Sequence, residues 1–269
     1  MRGASAESLE RLTEQLGSAV ESGSDAARIA DDLFAVSVLL RREPSLRRVA
    51  TDLSLQPAAK SDFVRNLLGG QLDATSMDLV ASAVAQRWAA TRDLADALEQ
   101  LGVIAVVKGA DRAGQADALE EQLFGLERLV SENPDVRDAL SDPSRSIEDK
   151  NRLLSNLLEG RATGATIRLA QQALVGSHRT VSVAIEQYQK VAAENRHRLI
   201  ATVRVARELG DGERQRLQGA LARQYDRPVH LNVVVDPDVV GGVKVEIGDD
   251  VIDGTVASRL DEARRRLAG

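Results

Sequence analysis

The stretch KSDFVRNLLGG at residues 60–70 is followed ninety residues later by KNRLLSNLLEG at residues 150–160. Both stretches begin with lysine, contain the triplet Asn-Leu-Leu and end on glycine. The two stretches therefore suggest that part of this chain is present twice.

Further pairs align along the chain when the same shift of 90 residues is applied without gaps. The aligned pairs include Leu33-Phe34 with Leu123-Phe124, Pro44 with Pro134, Asp52 with Asp142, and Leu79 with Leu169. Leucines at shared spacing occur in unrelated bundles, but a shared proline, the triplet and the following glycine at one offset are much harder to obtain by chance. We therefore predict duplicated helical bundles, with residues 1–108 as the first copy and residues 109–197 as the second.

Helices are indicated throughout these two copies by apolar residues at intervals of three and four. Such stripes are formed by Leu9, Leu12 and Leu16, by Ile29, Leu33, Val36 and Leu40, and by Met77, Val80, Val84 and Trp88. Residues 96–126 are dense in Ala, Leu, Glu and Gln and predict one or two long helices that join the copies, with an interruption near Gly109 or Gly114. The second copy has no separate equivalent of the first predicted helix, residues 5–20.

The periodicity changes after about residue 197, where apolar residues begin to alternate with other side chains. Alternation predicts strands that begin at Leu199, Val229 and Val243, and a helix is expected over residues 211–225. Asp253 is predicted to cap a final helix. The fold class is therefore mainly α, with a small α/β domain of order β-α-β-β-α over residues 198–269.

Composition narrows the classes of function. Aromatic residues make up only 2% of the chain and the net charge is −6, which disfavours a nucleic-acid partner because stacking platforms and a basic excess are both missing. There is no cysteine, and the longest apolar runs are far too short to span a membrane. These features predict a soluble protein that is cytoplasmic by default.

No residue pattern predicts catalysis, a cofactor or a metal. The histidines are scattered, and Gly241-Gly242-Val243-Lys244 lacks the spacing of a phosphate-binding loop. Asp249, Asp250 and Asp253 are explained by a turn and a helix cap, since a calcium loop needs more oxygen ligands. We therefore assign no catalytic, cofactor-binding or metal-binding residue.

The C-terminal run VVGGVKVEIGDDVIDGTVASRL at residues 239–260 resembles the signature region of the delta subunit of bacterial ATP synthase, and is similar also to the mitochondrial oligomycin-sensitivity-conferring protein. The residues that carry the resemblance are Gly241, Gly242, Gly248, Asp249, Asp253, Gly254, Arg259 and Leu260. The usual family layout covers residues from about 110 to 269. The additional copy at residues 1–108 looks like the extended actinobacterial version of this subunit.

The resemblance implies a mechanical role without chemistry. It implies a peripheral-stalk connector that holds the N-terminal segments of the alpha subunits, with the beta subunits nearby, to the b-type stalk subunits against rotor torque. It also implies a peripheral position at the cytoplasmic face of the plasma membrane, reached only through the complex. As a hypothesis, a groove of the first copy that binds a partner helix is lined near Leu9, Leu12, Met77, Val80 and Val84.

Three other functions stay open at this stage. The first is a general helical scaffold or adaptor unrelated to ATP synthase. The second is a hydrolase or transferase that uses Asp249, Asp250 or His230. The third is a helical RNA-binding factor. Which copy would bind the alpha subunits is not decided by the residues.

Overall fold

The structure is a computed structural model that describes residues 1–195, 199–207, 209–225, 229–236, 239, 241–247 and 250–254. These residues divide into two compact units, residues 1–196 and residues 197–269. The first unit is helical, and the second contains a mixed sheet with one described helix. The prediction of a mainly α chain with a small α/β region at the C-terminus is confirmed.

The first unit contains eleven described helices. In chain order they are α1 (Ala4–Glu21), α2 (Ala26–Arg42), α3 (Pro44–Ala50), α4 (Pro57–Leu68), α5 (Ala74–Ala85), α6 (Asp93–Arg112), α7 (Ala116–Glu132), α8 (Pro134–Ser141), α9 (Ile147–Leu158), α10 (Gly164–Val175) and α11 (Val181–Asn195). The break predicted between the two long helices lies at Gly114, which has a positive φ of 68°.

The helix boundaries repeat with the same interval of 90 residues as the sequence. Adding 90 to the bounds of α4 and α5 gives the bounds of α9 and α10, and adding 90 to those of α2 gives α7. Pro44 and Pro134 begin the equivalent helices α3 and α8, where a missing N–H costs no helical hydrogen bond. The duplication seen in the residues is thus also present in the backbone.

Local side-chain contacts repeat as well. Asp32 accepts a hydrogen bond from the backbone N–H of Asp73 at 2.9 Å, and Gln122 accepts the equivalent bond from Thr163 at 2.8 Å. Lys60 and Lys150 are both buried, with 3% and 9% of their surface exposed. A carboxylate and an amide oxygen both accept one N–H bond, so the contact survives the change from Asp to Gln.

Helix α6 belongs to both copies. Shifting α1 by 90 residues gives residues 94–111, which lie within α6, while α6 also closes the first copy by packing on α2 and α1. Thirteen of its 20 residues are buried, and residues 101–107, two turns of the helix, are apolar and buried on every side. The equivalent of α1 in the second copy is therefore a helix already used by the first. Residue 108 lies inside α6, and the division into copies at this position stays a prediction.

The C-terminal unit holds β1 (Leu199–Val205), α12 (Asp211–Tyr225), β2 (Val229–Val235), β3 (Val243–Ile247) and β4 (Asp250–Asp253). The sheet order is β2-β1-β3-β4, with β1 parallel to β2 and antiparallel to β3. Alternate residues of β1 and β3 point to a small core that includes Ala201, Val203, Val245 and Leu221 of α12. Strand β4 was not predicted, and the predicted final helix lies outside the described residues.

A close contact between α2 and α6 depends on Gly102. A Cβ atom at this position would lie within 3.0 Å of three carbons of the Phe34 ring, which is itself 6% exposed. Glycine in a helix normally costs about 0.5–1 kcal/mol relative to alanine, but overpacking of a core costs about 1–3 kcal/mol. The steric effect is the larger of the two.

We therefore expect Gly102→Ala to lower the free energy of unfolding by about 1–2 kcal/mol, measured by chemical denaturation. Gly125→Ala is the matched control, since Gly125 is exposed on α7 and has no heavy atom within 4 Å of the added Cβ. The free energy of unfolding of this control should rise by about 0.5–1 kcal/mol. Equal stability of the two variants would show that Phe34 moves aside without cost.

Candidate partner interfaces

The residues predicted to line a groove of the first copy lie on α1 and α5, which pack against each other. Leu12, Val80 and Val84 are each 1% exposed and Met77 is 8% exposed, whereas Leu9 is partly buried at the edge of the core. The burial of four of these side chains does not fit an open groove, because they belong to the hydrophobic core of the helical unit. Direct contact of a partner with these five residues stays a prediction, and Leu9 is the one with accessible surface.

The N-terminal half of α1 is held to the connection between α5 and α6 by polar contacts. Ser8 donates to the carbonyl of Arg87 at 2.9 Å, and Ser5 donates to the Asp93 carboxylate at 2.7 Å. Arg11 donates two hydrogen bonds to the Gln86 side chain at 3.0 and 3.2 Å. These contacts fix α1 on the bundle, so a partner helix would bind to a preformed surface.

The C-terminal signature residues that the structure describes surround β3 and β4. Gly242, with φ of 83°, lies immediately before β3, and Asp253 is the last residue of β4, opposite Lys244. The backbone N–H of Gly254 donates to the carbonyl of Val243 at 2.9 Å. Gly242 thus lies in the turn before β3, and Gly254 lies at the end of the β3–β4 pair, where the two backbones approach each other closely. Gly248, Asp249, Arg259 and Leu260 lie outside the described residues.

The sequence reasoning missed a buried charge at the junction of the two copies. Glu99 of α6 is 2% exposed and accepts hydrogen bonds from three parts of the chain. The donors are Arg41 of α2 at 2.6 Å, Tyr188 of α11 at 2.6 Å and the backbone N–H of Ser177 at 2.9 Å. A single acid, Glu99, within the mostly apolar run of residues 97–107 was the available signal, since buried acids are nearly always paired.

The ionised form of Glu99 is the stable one. Burial alone would raise its pKa, but the Tyr188 hydroxyl, the Arg41 charge and the Ser177 N–H together hold the pKa below the ordinary value. The same burial, together with the adjacent Glu99 charge, raises the pKa of Tyr188. The hydroxyl therefore stays protonated and keeps donating to the carboxylate.

A second ion pair connects the copies on their outer side. Arg168 of α10 donates two hydrogen bonds to the Asp31 carboxylate of α2, at 2.5 and 3.2 Å. The bidentate geometry is the strongest that an arginine and a carboxylate can form, although the Asp31 side chain is half exposed. Together with the Glu99 cluster, this pair fixes α10 and α11 relative to α2.

Among the described residues, no group of three or more His, Cys, Asp or Glu side chains is arranged to hold a metal ion. Within the same part of the chain, no helix combines the length and the apolar character needed to cross a bilayer.

Comparison with known proteins gives the family. The model described as "ATP synthase delta (OSCP) subunit" matches residues 104–267. The chain belongs to the ATP synthase delta (OSCP) subunit family. The resemblance read from the C-terminal signature is confirmed, and a helical scaffold unrelated to ATP synthase is not favoured.

Relatives in the family match over their full length. An "ATP synthase subunit delta" from Nocardioides sp. is 54% identical, over 100% of this chain and 98% of the relative. The proteins of the same name from Streptomyces coelicolor and Thermobifida fusca are 44% and 38% identical, over 100% of this chain and 98% and 100% of their own length. The extended length, including the first copy, is thus shared with these actinobacterial relatives.

A solved structure with 16% identity is a chain of the Toxoplasma gondii mitochondrial ATP synthase hexamer. The match covers 62% of this chain and 95% of that chain, with a TM-score of 0.33.

We expect Tyr188→Phe to lower the free energy of unfolding by about 1.5–3 kcal/mol, because it removes a buried hydrogen bond to a charged group. The control is Tyr225→Phe, the same change at the second of two tyrosines, whose hydroxyl bonds weakly to Asp250 at 3.3 Å near solvent. The control should change stability by less than about 0.5 kcal/mol in the same denaturant titration. Similar losses in both variants would argue against a special role of the Glu99 cluster.

The depressed pKa of Glu99 predicts a pH dependence of stability. A group with a lower pKa in the folded state stabilises the fold above its ordinary pKa of 4.5, and this contribution is lost as the pH falls through the folded pKa. Wild-type stability should therefore fall between about pH 5 and pH 3, and Glu99→Gln should show a smaller acid loss. Glu159→Gln, the same change at an exposed glutamate that follows α9, is the control and should keep the wild-type slope. An unchanged slope in Glu99→Gln would contradict the prediction.

Proposed function

We propose that this chain is a non-catalytic connector of a proton-translocating ATP synthase, which joins the catalytic head to the peripheral stalk. Its partners in this proposal are the N-terminal segments of the alpha subunits, with beta nearby, and the b-type stalk subunits. The chain would lie at the cytoplasmic face of the plasma membrane, peripherally and only through the complex. Membership in the family carries the proposal.

The helical unit has a build that suits a connector under torque. A load between two helical copies is resisted best when no flexible linker separates them, and here both copies share the continuous helix α6. The buried Glu99 cluster and the Asp31–Arg168 pair add contacts across the same junction. Local opening of such a junction would expose apolar surface and break the charge pairs at the same time, so its free-energy cost is high.

The location of the head-binding surface is part of the proposal. We call the contact between α1 and α5 in the first copy a seam. The equivalent helices of the second copy are α6 and α10, so each copy has one seam of this type. In the first copy, Leu9 lies at the edge of the seam and is partly exposed. We assign head binding to the first-copy seam, because α6 is largely covered by other helices.

The test uses membranes whose ATP synthase has been depleted of this subunit and then supplied with the full chain. The wild-type chain should restore proton-driven ATP synthesis and co-purify with alpha, beta and b-type subunits. Leu9→Gln should weaken binding to the isolated head at least about tenfold, since a polar group would replace the apolar edge of the seam. The control is Leu53→Gln, a more exposed leucine outside the seam.

Restored synthesis without co-purification of b-type subunits would contradict the stalk assignment. Equal head binding by the Leu9→Gln and wild-type chains would move the head-binding site to another surface.

A further inference from the structure

Five large apolar side chains are exposed within one segment of the first copy, residues 49–67. They are Val49, Leu53, Leu55, Phe63 and Leu67, with exposed fractions of 37, 64, 40, 39 and 45%. Other exposed large apolar side chains in the described part of the chain are dispersed, for example Phe124 and Val183. Single exposed apolar residues are ordinary, but a cluster of this size marks an interaction surface.

Three of these side chains line a groove between α3 and α4. Its volume is about 610 Å³, and its apolar wall consists of Leu39, Leu46, Val49, Phe63, Leu67 and Leu68. Glu43, Ser45 and Gln71 complete the lining. Leu46 and Val49 are three residues apart on α3, and Phe63 and Leu67 are four apart on α4. Each pair therefore lies on one side of its helix, which gives the groove two apolar ridges. Such a concave surface fits the apolar stripe of a helix better than a flat bilayer.

The second copy shows that the fold does not require a large apolar side chain at three of these five positions. At the positions equivalent to Leu53 and Leu55 it has Pro143 and Arg145, and Ala139 replaces Val49. Helices α8 and α9 nevertheless form with the same spacing as α3 and α4. Phe63 and Leu67 have the partly buried equivalents Leu153 and Leu157, so the exposure at Val49, Leu53 and Leu55 is the part that the shared fold does not explain.

Charge distinguishes the two copies in the same way. Residues 41–68 carry six Lys or Arg and three Asp or Glu, in a chain of net charge −6, whereas residues 131–158 carry four and six. Arg42 and Arg48 are exposed and form no ion pair with any residue of the described ranges; Glu132 and Asp138 stand at their positions in the second copy. Arg42 and Arg48 adjoin the groove-lining residues Glu43 and Val49 in the chain, and the net positive charge of this segment favours an acidic partner over a basic one.

We propose that the α3–α4 groove of the first copy binds an amphipathic α-helix of a partner protein whose polar face carries an excess of Asp and Glu. This surface is separate from the α1–α5 seam assigned to head binding, and the proposal goes beyond the connector function. The apolar stripe of the partner helix packs between Val49 and Phe63, and its acidic side chains face Arg42 and Arg48.

The probe is a fluorescein-labelled, lactam-stapled peptide of about 18 residues, with Leu at helical intervals of three and four and Glu at most other positions. Binding to the full chain is measured by fluorescence anisotropy. Phe63→Ser should weaken binding at least about tenfold, and Phe124→Ser, the same change at an exposed phenylalanine of α7, should leave it unchanged. The double variant Arg42→Glu, Arg48→Asp should weaken binding more at low than at high salt.

Several results would overturn the proposal. They are absence of peptide binding at about 0.5 mM, equal binding of a scrambled peptide of the same composition, and equal losses in Phe63→Ser and Phe124→Ser. Binding of the wild-type chain to phosphatidylglycerol vesicles that Phe63→Ser abolishes would assign the groove to membrane instead. Self-association in sedimentation that Phe63→Ser abolishes would assign it to a second copy of this chain.

The outcome of this groove test can be distinguished from a failure of the proposed connector function. The Tm of Phe63→Ser should match that of Phe124→Ser within about 4 °C, so that a loss of binding is not a loss of folding. Loss of peptide binding in a variant that still binds the isolated head would leave the connector function intact. Loss of head binding by Leu9→Gln with peptide binding retained would concern the seam alone.

Discussion

The burial of α6 on its whole circumference is the constraint on which the helical unit depends. An amphipathic helix buries one face, but α6 is apolar and buried all round over residues 101–107, and it packs against helices of both copies, among them α2 and α11. Neither copy can complete its core without this helix, because it is the last helix of the first copy and occupies the place of α1 in the second. The two bundles consequently share one hydrophobic core, whose buried residues extend from Leu12 to Ala192.

The same constraint explains why charge is tolerated inside this core. Glu99 lies on α6 at the point where α2 and α11 both approach, so it can be hydrogen-bonded from both copies at once. Three donors compensate much of the desolvation free energy of the buried carboxylate, and removal of any donor would leave part of it uncompensated. The cluster therefore favours one arrangement of the two copies over others that apolar packing alone would allow.

Much of the local structure could be predicted because it depends on short-range chemistry. The strands at Leu199, Val229 and Val243 and the helix over residues 211–225 appear with their predicted starts, because alternation and helical spacing are local patterns. Strand β4 was missed, since its four residues are too few to show a period and it forms only by pairing with β3. The predicted groove residues were read from the apolar stripes of α1 and α5, and a stripe alone does not say whether it faces the core or a partner.

The sequence by itself determined the duplication, the helical class of both copies and the family signature, because each depends on residue type at fixed spacing. Only the tertiary structure decided how equivalent residues are used. Phe34 and Phe124 occupy the same position of the repeat, but the first is 6% exposed and the second 57%. The position that faces Phe34 is Gly102 on α6, and its equivalent in the second copy is Ala192 on α11, a buried residue that carries the Cβ that Gly102 lacks.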